Sequence, residues 1–227
     1  MTDEHRDSAG RRLEDYPRPS VAVDTALLTI VDGVLSVLQV RRPHERRWAL
    51  PGTFLHPDEL LIDAVRRSLQ TKAGIAGRSP RQLQVFDEPD RDDRGWVLSV
   101  AHADTCPESA LETRLPDDTR LMPVASPGRL PYGHERIVGY AVADLRARYR
   151  ATPDPDGLLL EPFTLLQLRE LHEAVAGESL QRDGFRRAME PLLESTGELT
   201  QGLRGRPATL LRRPVPLESD VSGHGSR

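Results

Sequence analysis

Apolar positions change their spacing several times along this chain, and each change marks an element. Val21 to Val31 is a nearly unbroken apolar run with β-branched Val, Thr and Ile, the pattern of a strand covered on both faces. Asp32-Gly33 is a hairpin dipeptide, and Val34 to Val40 follows as a second strand with Leu35, Val37 and Gln39 on one face. Arg41-Arg42-Pro43 ends it, His44 to Arg47 is a polar loop, and Trp48-Ala49-Leu50-Pro51-Gly52 returns to the sheet. A helix starting at Pro57 or Asp58 puts Leu61, Ala64, Val65 and Leu69 on one face and stops at Gly74. Strands are expected at Leu83–Phe86 and Trp96–Ala103, flanking a loop, 87–95, that reads as too charged for a core. Residues 105–120 read as a surface loop and Leu121–Val124 as an edge strand bounded by Pro123. His134 to Tyr149 has the helical period, with Ile137, Val138, Ala141 and Leu145 inward.

The stretch 151–157, ATPDPDG, has linker composition, and the pattern changes after it. Thr164 and Gln167 are spaced for a capping box, Phe163 and Leu168 for a hydrophobic staple. The helix they open carries Leu168, Leu171 and Val175 and stops at Gly177. A second helix is expected around Asp183–Leu193, with Phe185, Ala188, Met189 and Leu192 inward and Gly197 closing it. Leu199-Thr200 starts a strand, 203–207 is a Gly- and Arg-rich turn, and Ala208–Leu211 returns. Two helices followed by a basic hairpin outline a winged helix-turn-helix.

Charge sharpens that outline. The net charge of the 227 residues is −4, so any basic surface must be local. Residues 182–213 hold seven arginines against four acids, whereas 161–181 holds four acids against Arg169 alone. The positive charge therefore collects on the second helix and the hairpin. Arg182, Arg186 and Arg187 are placed for a major groove, Arg204 and Arg206 for a phosphate or a narrow minor groove, and a solvated arginine face fits the charge alone equally well. Cys106 is the only cysteine, which excludes an intrachain disulfide and points to a reducing compartment. The first residues lack the apolar core of a signal peptide, and Asp24, Asp32 and Gly33 break the most apolar stretch, so neither export nor a membrane span is expected. The expected location is the cytoplasm.

Trp48 to Ile75 has the layout of a Nudix box, GX5EX7REUXEEXGU with U aliphatic. Its leading Gly falls on Thr53, the first Glu on Glu59, the Arg on Arg67, the aliphatic on Leu69 and the exit on Gly74-Ile75. The three glutamates after the Arg fall on Ser68, Thr71 and Lys72. Pyrophosphate hydrolysis on this frame needs carboxylates that hold divalent metal and activate water. Ser and Thr are poor ligands, and Lys72 brings a positive charge to the metal's place. No catalytic residue and no metal ligand is therefore assigned, no cofactor is expected, and Glu59 and Arg67 are left as a structural tie. Arg41, Arg42, Arg91 and Arg94 are candidate phosphate contacts or ordinary exposed charges. Trp48 and Trp96 suit a base or the core, and His134 a ligand or its own helix.

The degenerate box in WALPGTF…, then RDDRGWVLSVAHAD and GHERI, then FTLLQLRELHEAVAG, DGFRRAMEP and RGRPATLLRR resemble, in this order, the NrtR family of Nudix-related transcriptional regulators of NAD metabolism. The resemblance spans roughly 20–213. It implies an α+β architecture: a Nudix α/β/α sandwich with a mixed sheet, then a C-terminal winged helix-turn-helix. It implies a homodimeric repressor of NAD synthesis or salvage genes that binds a palindromic operator on double-stranded DNA and no membrane, and releases it on sensing ADP-ribose or a related nucleotide. Effector contacts are expected at Arg41, Arg42, Trp48, Arg91, Arg94 and His134. DNA contacts are expected at Arg182, Arg186, Arg187, Arg204 and Arg206, with Phe185 anchoring the helix. Gly52-Thr53 replaces the usual Gly-Gly, and Gly133-His134 the usual Asp-His. A regulator sensing a sugar or sugar phosphate, and an active ADP-ribose hydrolase, are the alternatives. The expected division is a disordered arm at 1–19, a sensing domain at 20–150, a linker at 151–160, a DNA-binding domain at 161–213 and a flexible tail at 214–227.

Overall fold

The computed structural model describes residues 6–42, 47–111, 115–201 and 207–214. They fall into two compact units, one holding most of a large sheet and the other holding the residues from 142 onward. In the first, β1 (Ser20–Val31) and β2 (Val34–Arg41) form the hairpin expected at Asp32-Gly33. β3 (Trp48–Ala49) pairs with β2, and β4 (Gly52–Phe54) pairs antiparallel with β1. β5 (Arg81–Phe86) runs antiparallel to β6 (Val97–Thr105), which lies parallel to β1. β7 (Thr119–Pro123) pairs with β2, so the sheet is mixed, with a main order β3-β2-β1-β6-β5. Val23, Leu27, Val37 and Leu38 in its centre are fully buried, because β1 and β2 are covered on both faces.

The helix α1 (Leu61–Ala73) starts later than Pro57 or Asp58. Asp58 sits at φ 61°, and the Glu59 carboxylate accepts the His56 N–H at 3.0 Å. Those contacts hold 56–60 as a turn, so helical dihedrals begin only after Leu60. Ala64, Val65 and Leu69 are buried as their period requires. A second helix, α2, spans His134–Tyr149. A short 3-10 turn at Leu13–Asp15 lies in the N-terminal arm, where apolar periodicity offers no sign of it.

The stretch with linker composition is tied down in the structure. Asp154 is fully buried, accepts the Tyr149 hydroxyl at 2.8 Å and the Leu158 and Leu159 amides at 2.7 and 2.9 Å, and pairs with Arg213. Composition marks such a segment as a turn but cannot say whether its carboxylate faces water or protein.

In the second unit, β8 (Phe163–Thr164) leads into α3 (Leu165–Ala176), whose capping box is present: Gln167 N–H reaches Thr164 Oγ1 at 3.2 Å, and Thr164 N–H reaches Gln167 Oε1 at 2.8 Å. α4 (Arg182–Met189) is shorter than expected. Pro191 follows, and a proline's missing N–H and ring clash end an α-helix, so 190–192 tightens into a 3-10 turn. Gly197 therefore closes no helix; it lies inside β9 (Glu194–Leu199), which pairs with β10 (Thr209–Arg212). Ala188 and Leu192 are exposed, whereas Phe185 and Met189 face inward. β10 also pairs with β8, giving a three-stranded sheet β8-β10-β9. Two residues carry no readable period, so β8 is invisible in the sequence.

Candidate functional site

A cleft of about 170 Å³ opens where β1, β4, the 87–95 loop and the start of α2 meet. One of its buried charges is Asp24, an acid inside the apolar run of β1. Register places it there: Asp24 lies opposite Gly52 on β4 and Ala101 on β6, which brings Ser99 to the same side. Ser99 Oγ donates to Asp24 Oδ2 at 2.6 Å. A Cβ at Gly52 would run into the Asp24 carboxylate and lie 2.8 Å from the Val23 carbonyl, so the Pro-Gly turn needs its glycine for this close approach.

His134, the first residue of α2, is buried beside Asp24. Its Nδ1 accepts the Leu50 amide at 3.0 Å, which assigns the proton to Nε2, 3.3 Å from Asp24 Oδ1. The Arg91 guanidinium reaches Asp24 Oδ2 at 3.8 Å and donates to the Tyr132 carbonyl at 2.9 Å. Burial alone would raise the Asp24 pKa, but His134, Ser99 and Arg91 outweigh it and hold the carboxyl at about 2. Arg94 grips Asp92 with two parallel bonds at 2.8 and 2.7 Å, and that hydrogen bonding lowers the Asp92 pKa. Its guanidinium also lies 4.7 Å from the Tyr132 ring centre and 5.1 Å from that of Phe54, and Arg42 lies 4.9 Å from the same Tyr132 ring. The charged loop is thus partly interior: the Arg91 side chain and Asp92 are buried because each finds an opposite charge.

Four of the six expected effector residues, Arg42, Arg91, Arg94 and His134, line this cleft. Arg41 and Trp48 do not. Arg41 is exposed, and Trp48 lies under the Arg120 guanidinium, 4.2 Å from ring centre to carbon. Arg120 donates to the buried Gln39 at 3.0 and 2.8 Å, so Trp48 belongs to a structural stack. Sequence reasoning missed Asp24, Phe54 and Tyr132. The acid that interrupts β1 was the available signal.

Of the box positions, Lys72 lines the cleft and donates to the Gly52 carbonyl. Glu59 and Arg67 pair at 2.7 Å outside it, and Arg67, through its hydrogen bond, holds Glu59 at about 2. Thr71 spends its hydroxyl on the Arg67 carbonyl at 2.7 Å, and Ser68 is buried. In the other unit, Arg182, Arg186 and Arg187 are exposed on α4, whose Phe185 and Met189 are buried, and Arg187 lies opposite that buried pair. Arg204 and Arg206 lie outside the described residues. None of the described helices is long and apolar enough to cross a membrane.

Two family descriptions match, a NUDIX domain over residues 19–138 and an NrtR DNA-binding winged helix domain over 157–212. The ADPR responsive transcriptional repressor NtrR of Acinetobacter baylyi is 30% identical over 87% of this chain and 83% of its own length. The chain belongs to the NrtR family. Shewanella oneidensis NrtR, solved with a 27mer DNA, is similar at 32% identity and a TM-score of 0.72, over 86% of this chain and 93% of that one. Its NUDIX domain, solved with ADP ribose, matches 60% of this chain and 95% of its own at 26% identity and a TM-score of 0.51. An ADP-ribose pyrophosphatase of Methanocaldococcus jannaschii is 33% identical over 37% of this chain and 50% of its own length.

The winged helix of this NrtR-family chain carries one more unusual group. His172 on α3 is buried between the Tyr149 and Phe185 rings, at 5.1 and 5.0 Å, and its Nε2 has no hydrogen-bond partner among the described residues. Burial pushes this imidazole down to about 4. The unfolded chain therefore binds a proton that the folded one refuses between about pH 6.5 and pH 4. The stability is fully present above pH 6.5 and falls, by at most about 3 kcal/mol, as pH drops through that window. Thermal melts at pH 7 and pH 4.5 should show this loss, and His172→Phe should shrink it; an equal pH dependence in the variant would refute the assignment.

Proposed function

We propose that this chain is a transcriptional repressor that binds a palindromic operator as a homodimer and lets go when ADP-ribose enters the cleft of its Nudix domain. The targets are genes of NAD synthesis or salvage, and the place of action is the cytoplasm. The observation that carries the reading is the pairing of a cation-lined cleft with an arginine-bearing α4 in one chain. Guanidinium groups stacked on Tyr132 and Phe54 suit a diphosphate flanked by flat rings. Arginines on the solvent side of a recognition helix suit a major groove. The names of its NrtR relatives, one responsive to ADPR and one solved with DNA and with ADP ribose, support both halves.

The Nudix domain is read as a sensor and not as a hydrolase. Asp24 and Asp92 are the carboxylates on the cleft, and both are bonded to arginine or histidine. A sensor that cleaved its signal would lose it. DNA selected from a random-sequence pool should be released by ADP-ribose in a gel shift and retained with a sugar phosphate. Incubation with Mg²⁺ or Mn²⁺ should leave ADP-ribose intact. Release by sugar phosphates alone would reassign the effector, and metal-dependent turnover above a protein-free control would restore the hydrolase reading.

A further inference from the structure

The Nudix frame implies a divalent cation, and the donor set of this cleft does not fit one. Among the described residues no group of three or more His, Cys, Asp or Glu side chains could hold a metal ion. Asp24 is engaged by Ser99, His134 and Arg91, and both oxygens of Asp92 are taken by Arg94. Glu59, the one box glutamate that remains, is turned to Arg67. The cleft still has a cation where the frame calls for one. We infer that the Lys72 ammonium takes the place of the divalent ion, so that this chain grips the diphosphate of its effector directly and without metal.

The charges on the cleft support the substitution. Arg42, Lys72, Arg91 and Arg94 oppose Asp24 and Asp92. Among these six side chains that leaves an excess of two positive charges, the charge of one divalent ion. The Gly52 carbonyl tethers the ammonium at the cleft edge, and the charge of Asp24 acts on it without outweighing burial and Arg42. The side chain as a whole is open to solvent, as a ligand contact must be, while its ammonium is crowded. Burial of that group, and then Arg42, lower its pKa. A compact ammonium with three donors mimics a hydrated cation among phosphate oxygens better than a planar guanidinium does. In a chain whose 31 basic residues are otherwise arginine, the single lysine stands here.

This inference rests on the ligand reading above, and its test separates the two. Calorimetric titration of the full chain with ADP-ribose, once in EDTA and once in Mg²⁺, should give affinities equal within about twofold. Lys72→Met should weaken binding in EDTA by about 10- to 100-fold, the worth of one charge-assisted bond. Lys72→Arg should recover part of the loss, and unchanged melting temperatures show that the variants fold. A Mg²⁺ requirement in the unaltered chain, or full affinity in Lys72→Met, overturns the inference. If ADP-ribose fails to bind under either condition, the ligand reading falls, and inorganic pyrophosphate becomes the probe. Metal-free pyrophosphate binding that Lys72→Met abolishes upholds the lysine's role; its absence from the unaltered chain overturns it.

Discussion

Replacing Asp24 with alanine should destabilise the Nudix unit by about 3–5 kcal/mol, because removing one member of a buried charged cluster leaves the others uncompensated. The Arg91 side chain is only 6% exposed, and after the substitution it would face His134 with no carboxylate to offset its lost hydration. Ser99 would lose its acceptor as well. For a chain of this length the loss corresponds to a fall in melting temperature on the order of 10 °C. Asp24→Asn keeps the shape and isolates the charge. The folded carboxyl titrates at about 2, below its ordinary 3.8. Its contribution is therefore present above about pH 4 and lost as pH falls toward 2. The asparagine variant should show a shallower decline across that window. A melting temperature for Asp24→Ala within about 2 °C of the unaltered chain would contradict the cluster's structural role.

The double substitution Arg186→Ala and Arg187→Ala should weaken operator binding by about 10²- to 10³-fold at fixed salt, with bidentate and phosphate contacts worth about 1–3 kcal/mol each. Folding should be almost untouched. Both side chains are exposed, α4 is anchored through Phe185 and Met189, and alanine favours a helix. The Arg186–Glu190 pair that would be lost, 2.8 Å long, is a solvent-exposed i,i+4 contact, screened by water and of little weight for stability. The salt dependence of binding should flatten too, by about one unit of slope per phosphate contact removed. Gel shifts at two salt concentrations give both readings. Unchanged affinity would remove α4 from the DNA interface.

Local features of the sequence were legible. The extent of α2, the capping box of α3 and the Asp32-Gly33 hairpin depend on neighbours a few residues apart, and each stands where its pattern puts it. The Glu59–Arg67 tie was also readable, since α1 and its preceding turn fix that spacing. The end of α4 was overestimated because Phe185, Met189 and Leu192 keep a helical rhythm that Pro191 interrupts. The charged 87–95 loop was misjudged for another reason. Composition counts charges but cannot see that Arg91 and Arg94 each meet a buried acid.

By itself, then, the sequence determined the Nudix frame and the helical end with its arginines, with Ser68, Thr71 and Lys72 read at the frame's glutamate positions. These are matters of residue type and short-range spacing. Tertiary structure alone decided what the cleft is. The pairing of β1 with β4 and β6 brings Asp24 to Gly52 and Ser99. The fold then closes His134 and Arg91 on the same carboxylate from 110 and 67 residues away in sequence. It also placed Trp48 beneath the Arg120 guanidinium and outside the lining of the cleft. Such meetings are set by register across strands distant in the chain, and no periodicity within one strand carries that information.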